Sequence, residues 1–311
     1  MLIAKNKLDQ FLTQAEWADY RSAFLSSRTL THLFRNQLQK NAISVNDESG
    51  GIEAVGILNR HEELTRTLDR PCLIIDSLAF LASDLQEQKI KLRGDLVSKI
   101  LEMYESHENA MFVCRIRSDD QCLSRALIGR NFVKYDSLLI YQHRLHSSRI
   151  AQSRVKAQCS LDVPEVLSVV EKGVAHLRTG RFFMDPRIGP SKAVETYVRL
   201  SEIVISEGAH VTTVRDSSRG AVAGVAIGIA DHSLSTILST RYGTLWLIVV
   251  SPEFEGQGFG RRLFEKFCEE FGHQCDVLEI GTQIDNERAL RLYEKSGAIR
   301  VGSADTFHKW A

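Results

Sequence analysis

Residues 250–264 read VSPEFEGQGFGRRLF. An apolar run with strand character, TLWLIVV at 244–250, stops there, and Gly256, Gly258 and Gly260 follow within five positions. Arg261 and Arg262 come next, and then a new apolar pattern. That pattern is helical: Phe259, Leu263, Phe267 and Phe271 recur every four residues with Phe264 beside them. Arg261, Arg262, Glu265, Lys266, Glu269 and Glu270 fall on the opposite side, and Gly272 stands where a residue just past a helix end belongs. The stretch predicts a strand, a glycine turn and a helix that begins at Gly258 to Gly260.

A helix N-terminus offers unpaired N–H groups and a partial positive charge of ~0.5 e. Glycines let a ligand approach the backbone with no Cβ in the way. One reading of the turn is therefore a pyrophosphate cradle. The other is a tight strand-to-helix connection that needs glycine only for its dihedral angles. Three glycines followed by two arginines favour the cradle. It is not a P-loop, because GxxxxGK[ST] is absent. A dinucleotide fold would want an acidic residue ~20 positions on, at a strand end. Glu279 lies near that distance but falls in mid-strand, among LEIGTQ.

The totals narrow the class. The chain has 311 residues, with 39 Lys and Arg against 39 Asp and Glu, so electrostatics gives no reason to expect nucleic acid as a partner. The longest apolar run, AVAGVAIGIA at 221–230, is far short of the ~20 residues of a membrane span. MLIAKNKLDQFLTQAEW has scattered charges and does not read as a signal peptide. Cys72, Cys114, Cys122, Cys159, Cys268 and Cys275 form no CxxC pair. Even where His273 falls between Cys268 and Cys275, the two cysteines read as free thiols near an apolar helix face, so no metal is expected and a cytoplasmic location is.

Along the chain, residues 1–69 read as a helical N-terminal extension, with NAISVNDESGGI at 41–52 as a turn-rich connector. Residues 70–150 alternate strand and helix: CLIIDSLAFL, VSKILEMYES, AMFVCRIR, DDQCLSRALIG and FVKYDSLLIYQHRL. The polar HSSRIAQSR at 146–154 marks a boundary, and residues 151–311 form the main domain. There VKAQCSLDV reads as a strand, PEVLSVVEKGVAHL and KAVETYVRLSEIVI as helices around the loop TGRFFMDPRIGPS. HVTTVRD and RGAVAGVAIGIA suggest an antiparallel pair. After the glycine turn come the strand DVLEIGTQ, the helix ERALRLYEKS and a last strand, AIRVGSADTFHKW. No sequence repeat is visible.

VSPEFEGQGFGRRLF, followed by a strand and NERALRLYEKSGA, resembles the GNAT superfamily of acyl-CoA-dependent N-acyltransferases. The resemblance implies an α/β GNAT fold, a mixed and mostly antiparallel twisted sheet flanked by helices, preceded by a smaller truncated α/β domain. The superfamily motif Gln/Arg-x-x-Gly-x-Gly/Ala falls on Glu255, Gly258 and Gly260, with Glu255 a departure from the usual Gln or Arg. By that resemblance the backbone N–H groups of Gln257, Gly258, Phe259, Gly260, Arg261 and Arg262 hold the pyrophosphate of acetyl-CoA. Asn286 and Tyr293 fall on the second motif. Their structural alternatives are a helix cap for Asn286 and core packing for Tyr293. A tyrosine, titrating near ~10, can protonate a thiolate leaving group of pKa ~8.5 without itself being ionised, and the family uses a tyrosine so. Backbone N–H groups at Ile248, Val249 and Val250 would meet the developing oxyanion. TLWLIVV carries no carboxylate, and the base is left among Glu279, Asp231, His232, His308 and a water relay.

Within the superfamily the chain most resembles the sugar-nucleotide N-acetyltransferases of TDP-fucosamine acetyltransferase type. LEIGTQIDNERALRLYEKSGA, GRFFMDPRI and the region ending in FVKYDSLLIYQHRL carry that likeness, firm from 240 onward. It implies an acceptor of TDP-4-amino-4,6-dideoxyhexose type, met by Arg181, Phe182 and Gln283, with Arg187 and Thr282 nearby. Phe182 and Phe183 as core residues are an equal reading. The expected partners are acetyl-CoA and this amine acceptor, with no nucleic acid and no membrane span; a homodimer stays open. A different amine, or a non-catalytic acyl-CoA-binding module, are the alternatives.

Overall fold

Where β-branched and aromatic residues run together the chain forms strands, and where apolar spacing widens to three and four it forms helices. The computed structural model describes residues 8, 11–12, 14–26, 29–31, 33–34, 42–46, 51–81, 85–103, 109–145 and 162–311. The chain divides into two units, Met1–Leu139 with Val301–Ala311, and Ile140–Arg300. The expected boundary at 146–154, and most of the strand expected at VKAQCSLDV, lie outside the described residues.

The first unit holds β1 (Ala15–Trp17), β2 (Ala42–Asn46), β3 (Ile52–Arg60), α1 (Glu62–Leu68), β4 (Cys72–Leu81), α2 (Gln86–Glu102), β5 (Met111–Arg117) and α3 (Gln121–Ile128). β6 (Val133–Arg144) begins in this unit and ends in the other. β2 pairs antiparallel with β3, β3 antiparallel with β4, and β4 parallel with β5. The stretch 1–69, expected as a helical extension, thus carries the strands β1, β2 and β3 among its described residues. Within NAISVNDESGGI, expected as a connector, the described residues belong to two paired strands: Ile43 is buried on β2 and Ile52 on β3. The core gathers Leu58, Ile75, Phe80, Leu96, Ile100, Phe112 and Leu127.

The second unit begins with α4 (Val163–Leu177), a single turn α5 (Arg181–Met184) and α6 (Pro190–Ser206). The turn α5 lies inside what the sequence suggests is loop; Gly180 and Asp185 bound it. Then come β7 (His210–Arg215), β8 (Val222–Asp231), α7 (His232–Leu238), β9 (Tyr242–Val250), α8 (Phe259–Phe271), β10 (Val277–Gln283) and α9 (Glu287–Lys295). β11 (Ile299–Trp310) returns to the first unit, where it pairs antiparallel with β5. β7 pairs antiparallel with β8, β8 antiparallel with β9, and β9 parallel with β10. The expected stripe on α8 is buried whole: Phe259, Leu263, Phe264, Phe267 and Phe271. Each such side chain contributes roughly 1.5–3 kcal/mol.

This succession is an internal repeat that the residues do not reveal. β3, α1 and β4 begin at 52, 62 and 72; β8, α7 and β9 begin at 222, 232 and 242, each 170 positions later. β5, α3 and β6 begin at 111, 121 and 133; β10, α9 and β11 begin at 277, 287 and 299, each 166 positions later. The caps repeat as well. His61 and Asp231 each accept from the backbone N–H three residues on, and Asp69 and Ser239 close the two short helices in left-handed conformation. Burial pattern and turn geometry are shared while side-chain identities are not, so comparison of the residues alone misses it.

Candidate functional site

The parallel ladder between β9 and β10 is short: Tyr242 pairs with Val277 and the last pair is Leu245 with Ile280. On its other side β9 carries one extra residue, because Ile227 faces Leu247 while Gly228 faces Leu245. A bulge bends a strand and increases its twist. The bend at Trp246 takes Trp246–Val250 away from Gly281–Gln283, and the backbone edge of β9 beyond Leu245 has no strand beside it among the described residues. A cavity of about 1420 Å³ opens there, lined by residues 245–250 of β9, by Gly281, Thr282 and Gln283, and by the starts of α8 and α9.

The glycine turn forms the rim. Gly256 and Gly258 have φ of 72° and 82°, and a Cβ on either would meet open space rather than protein. They are needed for backbone conformation and leave the surface bare. Gly258 caps α8 without any side-chain hydrogen bond. The first bond into the turn runs from the Arg262 N–H to the Gly258 carbonyl, and the N–H groups of Gly256 to Arg261 donate to no described residue. The Glu255 carboxylate accepts from Arg288 on α9 at 2.7 Å and lies 3.2 Å from the His176 ring on α4. The departure from the motif thus ties the turn to two helices.

The same cavity is lined by Tyr293. Its side chain is buried beside Tyr141 and Phe264, at ring distances of 6.2 and 5.3 Å. No described residue hydrogen-bonds its hydroxyl, and its ring lines the cavity. Burial, with the nearby Cys268 thiol, pushes its pKa well above the ordinary tyrosine value, so it holds its proton at neutral pH. Cys268 also lines the cavity, its thiol pushed up to about 12 by burial and by Glu265.

Of the residues singled out from sequence, Ile248, Val249, Val250, Gly258, Phe259, Gly260, Arg261, Asn286, Gln283 and Tyr293 line this one cavity. Gln257 and Arg262 do not: Gln257 donates to the Glu253 carbonyl, and Arg262 lies over the Phe259 ring. Asn286 is a cap, its Oδ1 accepting from the Ala289 N–H at 3.3 Å, and it lines the cavity too. Phe182 is core and Arg181 lies over its ring; Phe183, stacked on Tyr197 at 5.9 Å, faces the cavity instead. A methyl group on Gly180 would stand 2.7 Å from the Tyr197 hydroxyl and 3.1 Å from the Gln283 amide nitrogen, so these groups converge there.

The sequence gives no site role to Thr179, Tyr197, Trp246 and His143, all on the cavity wall. They come from four separate segments, and only folding groups them. None of the four base candidates lines it. Glu279 accepts from the Tyr242 hydroxyl at 2.9 Å, Asp231 caps α7, and His232 and His308 lie elsewhere. Among the described residues no group of three His, Cys, Asp or Glu could hold a metal ion. Nor is any helix among them long and apolar enough to cross a membrane.

Residues 181–298 match the Acetyltransferase (GNAT) family. The spore coat polysaccharide biosynthesis protein SpsD of Bacillus subtilis is 29% identical over 131 residues, 42% of each chain. The chain thus matches less than half the length of that relative. A GCN5-related N-acetyltransferase from Sphaerobacter thermophilus superposes with a TM-score of 0.60 at 12% identity, covering 98% of this chain and 91% of its own. A tandem GNAT protein from the clavulanic acid biosynthesis pathway does so with a TM-score of 0.51 at 11% identity, covering 98% and 95%. The fold is that of the GNAT proteins.

Proposed function

We propose that this GNAT-type chain transfers an acetyl group from acetyl-CoA to the amine of a nucleotide-linked amino-deoxy sugar, of TDP-4-amino-4,6-dideoxyhexose type. The observation that carries the reading is one cavity lined both by a glycine turn and by a protonated Tyr293, whose N–H groups and hydroxyl have no hydrogen-bond partner among the described residues. The N–H groups of Gly258 to Arg261 bind the pyrophosphate. The bare β9 edge suits an extended arm with amide groups, which the pantetheine of acetyl-CoA provides. The amine attacks the thioester carbonyl, forming the C–N bond, and the N–H groups of Ile248 and Val250, on the edge of β9 away from β8, receive the negative charge on the oxygen. The C–S bond breaks, Tyr293 gives its proton to the sulfur, the nitrogen sheds a proton to water, and solvent reprotonates Tyr293.

The acceptor end supports a sugar nucleotide over a polycation. Phe183, Tyr197 and Trp246 offer aromatic faces there, and Tyr197 and Gln283 offer hydrogen bonds. The two carboxylates on the wall, Glu255 and Glu265, are paired with Arg288 and Arg261 and do not form an acidic lining. The likeness to a spore coat polysaccharide biosynthesis protein points the same way. Coenzyme A release measured against a panel of amino-sugar nucleotides, polyamines and peptides tests the proposal. Release with an amino-sugar nucleotide is expected. Release only with the other amines would refute the acceptor class, and binding of acetyl-CoA without release on any amine would refute the enzyme.

A further inference from the structure

The two repeats carry the same strand geometry up to the same point. β4 pairs in parallel with β5 from Cys72 and Met111 to Ile75 and Cys114, four pairs, as β9 does with β10. β4 also carries one extra residue against β3, between the pairs Ile57 with Asp76 and Val55 with Ala79. Beyond Ile75 the first unit should therefore open a cleft equivalent to the one at Trp246–Val250. In that place lies β1. Ala15, Glu16 and Trp17 pair antiparallel with Leu81, Phe80 and Ala79, and the Ala18 N–H donates to the Leu78 carbonyl at 2.9 Å. On its other side the Ala18 carbonyl accepts from the Arg117 N–H at the end of β5, at 3.4 Å. The segment thus bridges the two strand ends.

The geometry points to a second acetyl-CoA-type cleft in the first unit that the chain has closed with its own residues 15–18, so that each chain binds a single acetyl-CoA. The inference rests on reading the second unit's cavity as the acetyl-CoA cleft. Further features of the first unit agree with it. The junction between β4 and α2, ASDL at 82–85, has no glycine. The place of Tyr293, seven residues after the cap of α9, falls on Leu127, seven after the Asp120 cap of α3, and Leu127 is buried in the core. Trp17 packs edge-on against Phe34 at 5.2 Å, and Lys89 and Arg93 of α2 lie 3.3 and 3.5 Å from Glu16. A smaller cavity of about 590 Å³ remains beside β1. Its cations Lys89, Arg93 and Arg117 are each paired with a carboxylate, of Glu16, Asp120 and Asp119.

Calorimetric titration of the full chain with acetyl-CoA tests this, alongside Gly258→Val, which blocks the one open turn. One site is expected for the unaltered chain, and at least ~100-fold weaker binding for the variant, since a β-branched residue is strained at that positive φ and its side chain obstructs the N–H groups. Two sites in the unaltered chain, or one kept at full affinity in Gly258→Val, would overturn the proposal. Absence of any binding to the unaltered chain would instead overturn the reading of the second unit, and this inference with it. Hydrogen exchange gives an independent readout: the Ala18 amide should stay as protected at saturating acetyl-CoA as without it. Faster exchange on adding acetyl-CoA would mean that the ligand displaces β1, and would sink the idea of a closed cleft.

Discussion

The two repeats share an order of strands and helices, yet one holds an open cleft and the other a peptide. In the second, β9 ends at a turn with Gly256 and Gly258 at positive φ, and α8 presents unpaired N–H groups to a cavity. In the first, the corresponding strand edge is covered by β1, and a buried leucine stands in place of the tyrosine. A bulge and a parallel pair that parts after four residues occur in both. What fills an exposed edge is then a matter of which N–H and C=O groups reach it first, those of a ligand or those of the chain's own strand.

The comparison can be broken most sharply at Trp17. Trp17→Ala should cost about 3–5 kcal/mol of stability in urea unfolding, as for a large aromatic removed from a core. The acetyl-CoA Kd should not change; a weakened Kd would mean that the two clefts do not act separately. Tyr293→Phe should lower kcat roughly 100- to 1000-fold with acetyl-CoA affinity kept, the usual loss for a general acid. Undiminished turnover would remove Tyr293 from the chemistry.

A third effect follows from buried acids. Burial opposes the thiolate and pushes the Cys268 thiol up to about 12 and the Cys275 thiol up to about 11, and it raises Tyr293 and Cys114 as well. The folded chain keeps these protons after the unfolded chain sheds them, from ~8.5 for thiols and ~10 for tyrosine. Stability present below that range is lost as pH rises through it, by about 2 kcal/mol or more between pH 8 and 10, read from urea midpoints. A midpoint that holds to pH 10 would show these groups to be open to water. The smallest effect is at Glu255. Its partners Arg288 and His176 are largely exposed, so Glu255→Gln should raise the KM for acetyl-CoA only ~2- to 5-fold, as for surface ion pairs. A larger rise would give this carboxylate a direct part in holding the ligand.

Much of the second unit was legible in the residues because its signals are local. A four-residue phenylalanine repeat specifies α8, glycines specify its turn, and Asn286 caps the helix that carries Tyr293. The N-terminal region misleads for the converse reason. Polar residues at 46–51 look like a linker, yet Ile43 and Ile52 make the flanking strands by burial against a sheet far along the chain. At the acceptor end, adjacent phenylalanines are indistinguishable in sequence; packing puts Phe182 in the core and Phe183 on the cavity wall.

By itself the sequence determined the strand, glycine turn and helix at 244–271 and the helix with Tyr293, because backbone conformation and amphipathic spacing are properties of neighbouring residues. Only the tertiary structure decided that the same architecture occurs twice, and that one cleft stays open while the other takes up β1. Strand pairing joins residues more than sixty positions apart, such as Ala15 with Leu81, and no local pattern records which edge a distant strand will cover.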